Sequence, residues 1–407
     1  MIFQYTIENF YSFREPTVVD FTVTSQAGDR PGMANALTGQ RVNTVTGALG
    51  ANASGKTNLL KPLGFLAWFI TTSAERKPDQ EILCERFAFD PETHDRPTRL
   101  TLHFEFEGEE YHYRLSFTPE RVLEESLHRK KQRFAYLFER VWNDNTRDYD
   151  FKSQDLGGAA KVPQRENASW LATALLQDHP FAVTMYRFFD SFYGNCQPDG
   201  RAPSHDAELV NVFNAAEYYS KHPDLLNRVS AMMADYDLGL VGVKTQKVKN
   251  TDPKGEEVEF DLPIAVHQAG NRTYTRALMQ ESRGTQALFV LLRYLLPVLD
   301  KGGIAFIDEF ESGLHPHMVR AVVDLFFNPA TNPKNAQLIA TFHTDFLLRD
   351  TLHKYQTYLV EKDESLNSFA YRLDSIRSHK GGRAPRNVEN LFEKYHAGAY
   401  GGVPDLV

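Results

Sequence analysis

The chain has 407 residues, 42% hydrophobic and 24% charged, an ordinary globular composition with length for roughly two to three domains. Its 53 acidic against 45 basic residues give a formal charge of −8, which excludes a wholly basic chain that coats nucleic acid but not a local basic patch. The two cysteines, Cys84 and Cys196, stand in no CxxC or zinc spacing, so the expectation is a reduced, cytoplasmic chain rather than a disulfide framework.

In chain order, residues 2–24 alternate through Ile2, Tyr5 and Ile7 and again through Val18, Val19, Phe21 and Val23, which predicts strand, turn, strand. The opening MIFQYTIENFYSF has no basic-then-apolar leader pattern. Residues 43–70, NTVTGALGANASGKTNLLKPLGFLAWFI, read as a strand, a glycine-bearing loop and a helix. Residues 82–118 alternate again, and TRLTLHFEFEGEEYHYRLSF sets a Glu-Gly turn between two runs, predicting a β-hairpin whose aromatics pack in a core. VLEESLHRKKQRFAYLFERVW reads as more sheet.

After about residue 155 the pattern turns helical, through WLATALLQ, LVNVFNAAEYYS and PDLLNRVSAMMADY, until LGLVGVKTQKVKN returns to strand around the charged loop TDPKGEE. The expected organisation is one split α/β domain: an N-terminal part over 1–159, a helical insertion over 160–235 and a C-terminal part over 236–407. No repeat or heptad run predicts a coiled-coil arm. The longest apolar run, ALFVLLRYLLPVL (287–299), contains Arg293 and falls short of the roughly 20 residues a membrane span needs; it predicts a buried helix.

GANASGKT (50–57) fits G-x-x-x-x-G-K-[ST] in full and lies between a predicted strand and helix, as that motif requires. Its glycines let backbone N–H groups wrap phosphates at a helix N-terminus. The candidate nucleotide ligands are Gly50, Asn52, Ser54, Gly55, Lys56, Thr57 and Asn58. Lys56 is placed for the β- and γ-phosphates of ATP and the Thr57 hydroxyl for Mg²⁺. GGIAFIDEF (302–310) is an apolar strand ending in Asp308 and Glu309. The first carboxylate suits Mg²⁺ and the second suits activation of the attacking water. SRGTQ (282–286) stands just before the apolar helix, offering the Ser282 hydroxyl, close approach at Gly284, and Gln286; by itself such a turn reads as a helix cap. SGLHP (312–316) directly follows the carboxylates, and NAQLIATFHTDFL (335–347) is a buried-strand pattern ending in His343.

In this order the motifs resemble those of the ABC-ATPase branch that contains RecF, Rad50, SMC and OLD-type proteins, and more narrowly the stand-alone AAA15 (AAA_21) ATPases of bacteria. IENFYSF is similar to that branch's opening strand and turn, Asn52 to its phosphate loop, and NLFEKYHAGAYGGVP (390–404) to the narrower family's tail. The resemblance implies an ABC P-loop fold, with a mixed N-terminal β-subdomain and a parallel core sheet. It implies a homodimer, open to higher assembly, with two ATPs sandwiched head to tail. Ser282, Gly284 and Gln286 would then meet the γ-phosphate held by the opposite subunit, 312–316 would cross the interface, and His343 would sense the γ-phosphate. It also implies a role in phage defence beside a separate effector such as a nuclease. Arg283 departs from the small residue usual in that signature, and the glutamine that links Mg²⁺ to the inserted lobe has no evident counterpart.

LHRKKQR (127–133), TQKVKN (245–250) and SIRSHKGGRAPR (375–386) are basic runs. Without interleaved aromatics they read first as solvated surface and second as nucleic-acid contacts. The leading expectation is an ATP-gated dimeric regulator of an effector. The alternatives are a RecF-like DNA-binding ATPase, a scaffold that nucleotide merely stabilises, and a transporter subunit, which the soluble-branch opening strand disfavours.

Overall fold

The computed structural model describes residues 1–197, 200–201, 205–236, 239–251, 257–376 and 390–402. Strands β1 (Ile2–Glu8) and β2 (Thr17–Asp20) pair antiparallel. A short pair, β3 (Met33–Asn35) with β4 (Arg41–Asn43), precedes β5 (Val45–Leu49) and helix α1 (Lys56–Thr72). A meander follows: β6 (Thr98–Phe106), β7 (Glu109–Phe117), β8 (Val122–Lys130), β9 (Phe134–Asn143) and β10 (Asp148–Ser153). Next come α2 (Trp170–Leu175), α3 (Pro180–Phe189), β11 (Phe192–Gly194) and the short pair β12 (Cys196–Gln197) and β13 (Gly200–Arg201). Helices α4 (His205–Lys221) and α5 (Pro223–Tyr236) lead into β14 (Leu240–Thr251), β15 (Glu257–Ala269) and β16 (Arg272–Ala277). The chain continues through α6 (Arg283–Lys301), β17 (Ile304–Ile307), α7 (Pro316–Phe327), β18 (Gln337–Thr341), β19 (Thr357–Lys362), β20 (Ser368–Arg372) and α8 (Leu391–His396).

The central sheet runs β11-β17-β18-β5-β19-β20, parallel except for β20. A parallel sheet is covered on both faces, which is why IAFI and QLIAT read as unbroken apolar runs. Ile304, Phe306, Ile339, Tyr358 and Val360 face a core shared with α1, α2, α3 and the meander. Ala305, Ile307, Leu338, Ala340 and Leu359 face a second core built with α4 to α7.

The meander joins β1 and β2 in a seven-stranded antiparallel sheet, β10-β9-β8-β7-β6-β1-β2. The predicted Glu-Gly turn is there: Glu107 and Gly108 both take positive φ, 52° and 78°, the requirement of a type I′ hairpin turn. As expected, the hairpin's Tyr111 and Tyr113 are buried. The stack of Phe65 on Phe69 and Phe117, with ring centroids 5.5 and 5.1 Å apart, packs α1 onto this sheet. Each such buried ring contributes about 1.5–3 kcal/mol. Gln337 clamps the two sheets together: its Oε1 accepts from the Ile2 N–H at 2.6 Å, and its Nε2 donates to the carbonyls of Ile2 and Asn43 at 3.0 and 3.1 Å.

Residues 160–235 differ from the expected single helical insertion. They hold four helices, but β11 lies between them and pairs in parallel with β17 at the edge of the central sheet. Helices α2 and α3 join the first core through Trp170, Leu171, Met185 and Phe188, whereas α4 and α5 join the second through Tyr219, Val229 and Met233. A strand of three residues, FYG, is too short for alternation to reveal it, and so the helices on either side merged into one pattern. Among the described residues no helix is long and apolar enough to cross a membrane.

Candidate active site

The loop between β5 and α1 closes on Gly55, whose φ of 109° lies in the region that favours glycine and where an added Cβ would fall 2.4 Å from Ser368 Oγ and 2.8 Å from Ser12 Oγ. The loop is thus pressed against the turn after β1 and the start of β20. Ser368 Oγ lies 2.6 Å from the Ser54 carbonyl and 2.8 Å from Ser12 Oγ, and Asn58 Nδ2 donates to Ser12 Oγ at 2.9 Å. Asn58, expected at the nucleotide, here braces the loop from behind. Asn52 stands exposed at the loop's tip. Lys56 is 6% exposed, and its Nζ donates to the carbonyls of Gly50 (2.8 Å) and Ala51 (3.0 Å). Burial lowers the pKa of Lys56 from its ordinary value, and the charges of Asp308 and Glu311 act the other way.

Asp308, at the tip of β17 and 3% exposed, is held on every side. Its Oδ2 accepts from Thr57 Oγ1 at 2.9 Å and its Oδ1 from Thr341 Oγ1 at 2.6 Å. Its backbone N–H and carbonyl are bridged by the Asn195 amide at 2.7 and 2.9 Å. Glu309 follows with a positive φ of 49°, an uncommon conformation for a side-chain-bearing residue that costs of order 1–3 kcal/mol and clusters at functional sites. Its N–H donates to Thr341 Oγ1 at 2.8 Å. Glu309 Oε1 and His343 Nε2 are 3.2 Å apart, with the two side chains 38% and 40% exposed. Glu311 Oε1 accepts from the backbone N–H groups of His343 and Thr344.

Residues from α1, the tip of β17 and the segment after β18 are brought together here: Lys56, Thr57, Asp308, Glu309 and His343. Four partners are not among the residues the sequence singled out: Ser12, Asn195, Thr341 and Glu311. Thr341 is the polar last residue of an apolar strand just ahead of His343, a signal that was available. Asn195 follows β11, itself unpredicted. The donor set is hard oxygen from a hydroxyl and a carboxylate, which fits Mg²⁺. Ser54 Oγ, buried in the loop with no hydrogen-bond partner among the described residues, fits a site that binds an acceptor-rich group.

The SRGTQ turn is built as a helix N-terminus. Ser282 Oγ caps α6, accepting from the Thr285 N–H at 3.1 Å and lying 2.8 Å from Thr285 Oγ1. Gln286 Nε2 donates to the carbonyls of Glu281 (2.9 Å) and Met279 (3.3 Å). A Cβ on Gly284 would fall 2.8 Å from the Gly313 carbonyl, so the turn lies directly against the 312–316 loop. A cavity of about 330 Å³ opens between them, walled by Arg283, Gln286, Ser312 and Gly313 and reaching Glu309 and Asn195.

Two of the three basic runs carry ion pairs with neighbouring carboxylates. Arg129 lies within 3.2 Å of Glu109 and 3.3 Å of Asp155, Lys130 within 2.8 Å of Glu110, and Lys131 within 3.1 Å of Asp155. Lys249 sits 3.5 Å from Glu257. The run at 375–386 falls outside the described residues from 377 onward, as do most of TDPKGEE and residues 403–404 of the tail. The rest of the tail is docked: Tyr371 Oη donates to the Tyr400 carbonyl at 2.8 Å, the Gly402 N–H to Glu361 Oε1 at 2.5 Å, and His396 Nε2 lies 2.5 Å from Asp345 Oδ2.

Compared with known proteins, residues 45–349 match the family model AAA_21, described as "AAA domain, putative AbiEii toxin, Type IV TA system". No curated protein matches the chain. Among solved structures it is similar to an SMC head bound to the C-winged helix domain of ScpA, at 14% identity and TM-score 0.45, over 92% of this chain and 98% of that one. It is also similar to the SMC head domain from Thermotoga maritima, at 14% identity and TM-score 0.41, over 91% and 98%. At these values the likeness carries no inference about ligand or partner.

Proposed function

The chain belongs to the AAA_21 family, and from that premise we propose that it binds and hydrolyses ATP, working as a nucleotide-gated dimeric regulator of a separate effector. The observation that carries the reading is the carboxylate pair behind the phosphate loop: Asp308 joined to Thr57 Oγ1, and Glu309 within reach of His343. ATP phosphates would lie along the loop N–H groups and the N-terminus of α1. Lys56 Nζ would exchange the carbonyls of Gly50 and Ala51 for phosphate oxygens. Thr57 and Asp308 would hold Mg²⁺, which supplies charge neutralisation on the β- and γ-phosphates. Glu309 accepts the proton of the attacking water, and His343 Nε2 orients the Glu309 carboxylate and meets the transferring phosphate. Thr341 restrains the Asp308 carboxylate and Asn195 its backbone, so the electrostatic environment would be set before reaction.

Ser282, Gly284 and Gln286 would serve the opposite protomer. The contact of Gly284 with Gly313 supports this, because it presents the signature turn and the 312–316 loop on one continuous surface. ATP would close the dimer and hydrolysis would open it. A toxin–antitoxin role follows the family's description alone, and a phage-defence role the resemblance of the motifs alone. The pairing of Arg129, Lys130 and Lys131 with neighbouring carboxylates weighs against that run as a DNA contact.

Turnover and light-scattering mass of Glu309→Gln test the reading together. Turnover should fall by roughly 10²-fold or more while Mg²⁺-ATP drives, or tightens, a dimer. That dimer should disappear when Ser282→Ala and Gly284→Asp are added. Wild-type turnover in Glu309→Gln would remove Glu309 as the base. A mass indifferent to both ATP and the signature would reduce SRGTQ to a helix cap.

A further inference from the structure

β16 is an edge strand, and among the described residues only β15 pairs with it. All residues from Arg272 to Arg276 are exposed, so among the described residues nothing covers the strand's faces or its outer edge. Its hairpin closes through Gly270 and Asn271, with Ala269 opposite Arg272. In a hairpin with a two-residue loop, the closing pair and every second pair beyond it exchange hydrogen bonds. Residues 272, 274 and 276 therefore bond to β15, and the backbone N–H and C=O groups of Thr273 and Thr275 point outward.

Native edge strands are commonly blunted by proline, a bulge, lysine or a covering segment. RTYTRA carries two arginines but no proline or lysine, and its register with β15 is unbroken. No covering segment lies over it among the described residues, and its centre, Thr-Tyr-Thr, is rich in β-forming residues. Its charges are two arginines, which alternation places on one face with Tyr274 between them. Antiparallel self-pairing about Tyr274 would set Arg272 against Arg276 of a second copy, a like-charge pair that destabilises and that Glu281, shared between Arg276 and His267, offsets only in part. An incoming strand with carboxylates at the matching positions meets no such penalty.

The strand is also tied to the signature turn. Arg276 Nε lies 3.2 Å from Glu281 Oε1, and Arg276 Nη2 donates to the Gln280 carbonyl at 2.7 Å. His267 Nε2 on β15 lies 2.9 Å from the same Glu281 oxygen, while Gln286 Nε2 holds the Glu281 carbonyl. Glu281 immediately precedes the Ser282 cap.

We propose that β16 is the docking strand for an extended acidic segment of a partner protein, which adds a strand to this sheet and bears on the signature turn through Arg276 and Glu281. The docking stands by itself; its coupling to the signature rests on the ATPase reading above.

The probe is a fluorescein-labelled peptide of alternating threonine and valine with two glutamates four positions apart, titrated with the full-length protein by fluorescence anisotropy. Binding should be saturable, and roughly tenfold or more weaker when lysines replace the glutamates. Thr275→Pro removes an outward N–H at a place where edge strands tolerate proline and should weaken binding similarly. Arg272→Glu should weaken it about fivefold; should Thr275→Pro fail to fold, this variant and the lysine peptide decide. No binding by the wild type, or equal binding of the two peptides, overturns the proposal. So does an ATP-independent dimer lost in Thr275→Pro, which would make a second copy the occupant. ATP turnover that responds to the peptide, and stops responding in Glu281→Gln, supports the coupling; turnover indifferent to bound peptide overturns it. A protein that binds the peptide but hydrolyses no ATP keeps the docking and sinks the ATPase reading.

Discussion

Glu309 and Glu311 are two residues apart and have different work. Glu309 sits on a left-handed backbone with its carboxylate facing His343 Nε2, while Glu311 turns away to receive the backbone N–H groups of His343 and Thr344 through one oxygen. These bonds fit Glu311 to a positioning role: it fixes where the histidine stands after β18. Removing the acceptor frees that segment, and small misplacements near a reacting centre cost up to about 10²-fold in rate. Glu311→Ala should lower kcat by roughly tenfold to a hundredfold with KM for ATP little changed, and Glu311→Gln, which keeps a carbonyl acceptor, should recover most of it. Steady-state kinetics of the two variants check this; equal rates in both would mean that the bonds to 343 and 344 position nothing. The motif pattern identified Glu309 because a strand-end acid pair beside a phosphate loop has chemical meaning. It passed over Glu311 because a carboxylate that serves through backbone contacts has no local pattern.

At the scale of elements, one buried ion pair ties the meander to α2. Arg140 on β9 and Glu125 on β8 are 0% and 1% exposed. Glu125 Oε2 accepts from Arg140 Nε and the Trp170 N–H, both at 2.8 Å, and its Oε1 from Tyr113 Oη and Ser169 Oγ at 2.8 and 2.6 Å. Arg140 spends its remaining donors on the carbonyls of Arg165 and Ala168. The pair is fully satisfied, so breaking it strands a charge in a dry place. Arg140→Met should lower stability by about 3–5 kcal/mol, seen as an earlier urea midpoint, whereas a loss below about 1 kcal/mol would mean that water reaches the pair. Both residues read in the sequence as ordinary charges on an alternating strand. Which face each strand turns inward depends on what packs on the meander, and here that is α2, from a segment expected to stand apart.

At the scale of the whole molecule, this sheet should give stability an acid limb. His103, His112 and His128 lie directly opposite one another across β6, β7 and β8. His112 is half-buried and its pKa is lowered to about 4, first by burial and then by the charges of Arg114, His103 and His128. His103 and His128 have carboxylate neighbours, Glu110 at 2.7 Å and Glu139 at 3.0 Å, and Lys130 bonds Glu110 as well. An unfolded chain protonates a histidine near 6.5, so between about 6.5 and about 4 the unfolded state binds more protons and stability falls as pH falls. Below about 4 this contribution levels off. His112→Asn should flatten the acid limb in that window and leave stability near neutrality close to wild type; thermal unfolding across pH 4 to 7 measures it. An unchanged limb would assign acid sensitivity to other groups.

What the sequence by itself determined is where the short motif-bearing segments lie and what local backbone they take: the glycine loop at 50–57, the strand ending in Asp308 and Glu309, the capped SRGTQ helix, the histidine beyond β18 and the Glu-Gly hairpin. Each depends on local backbone geometry and a few neighbouring side chains, so a short string is enough. The tertiary structure alone decided what joins them. Thr57 and Asp308 meet across 251 positions, Asn195 reaches Asp308 across 113, and Ser12 meets Ser368 across 356. It also decided that β11 would enter the central sheet and send α2 and α3 to one core and α4 and α5 to the other. Contacts at such separations follow from how sheets and helices share buried surface, which no local period encodes.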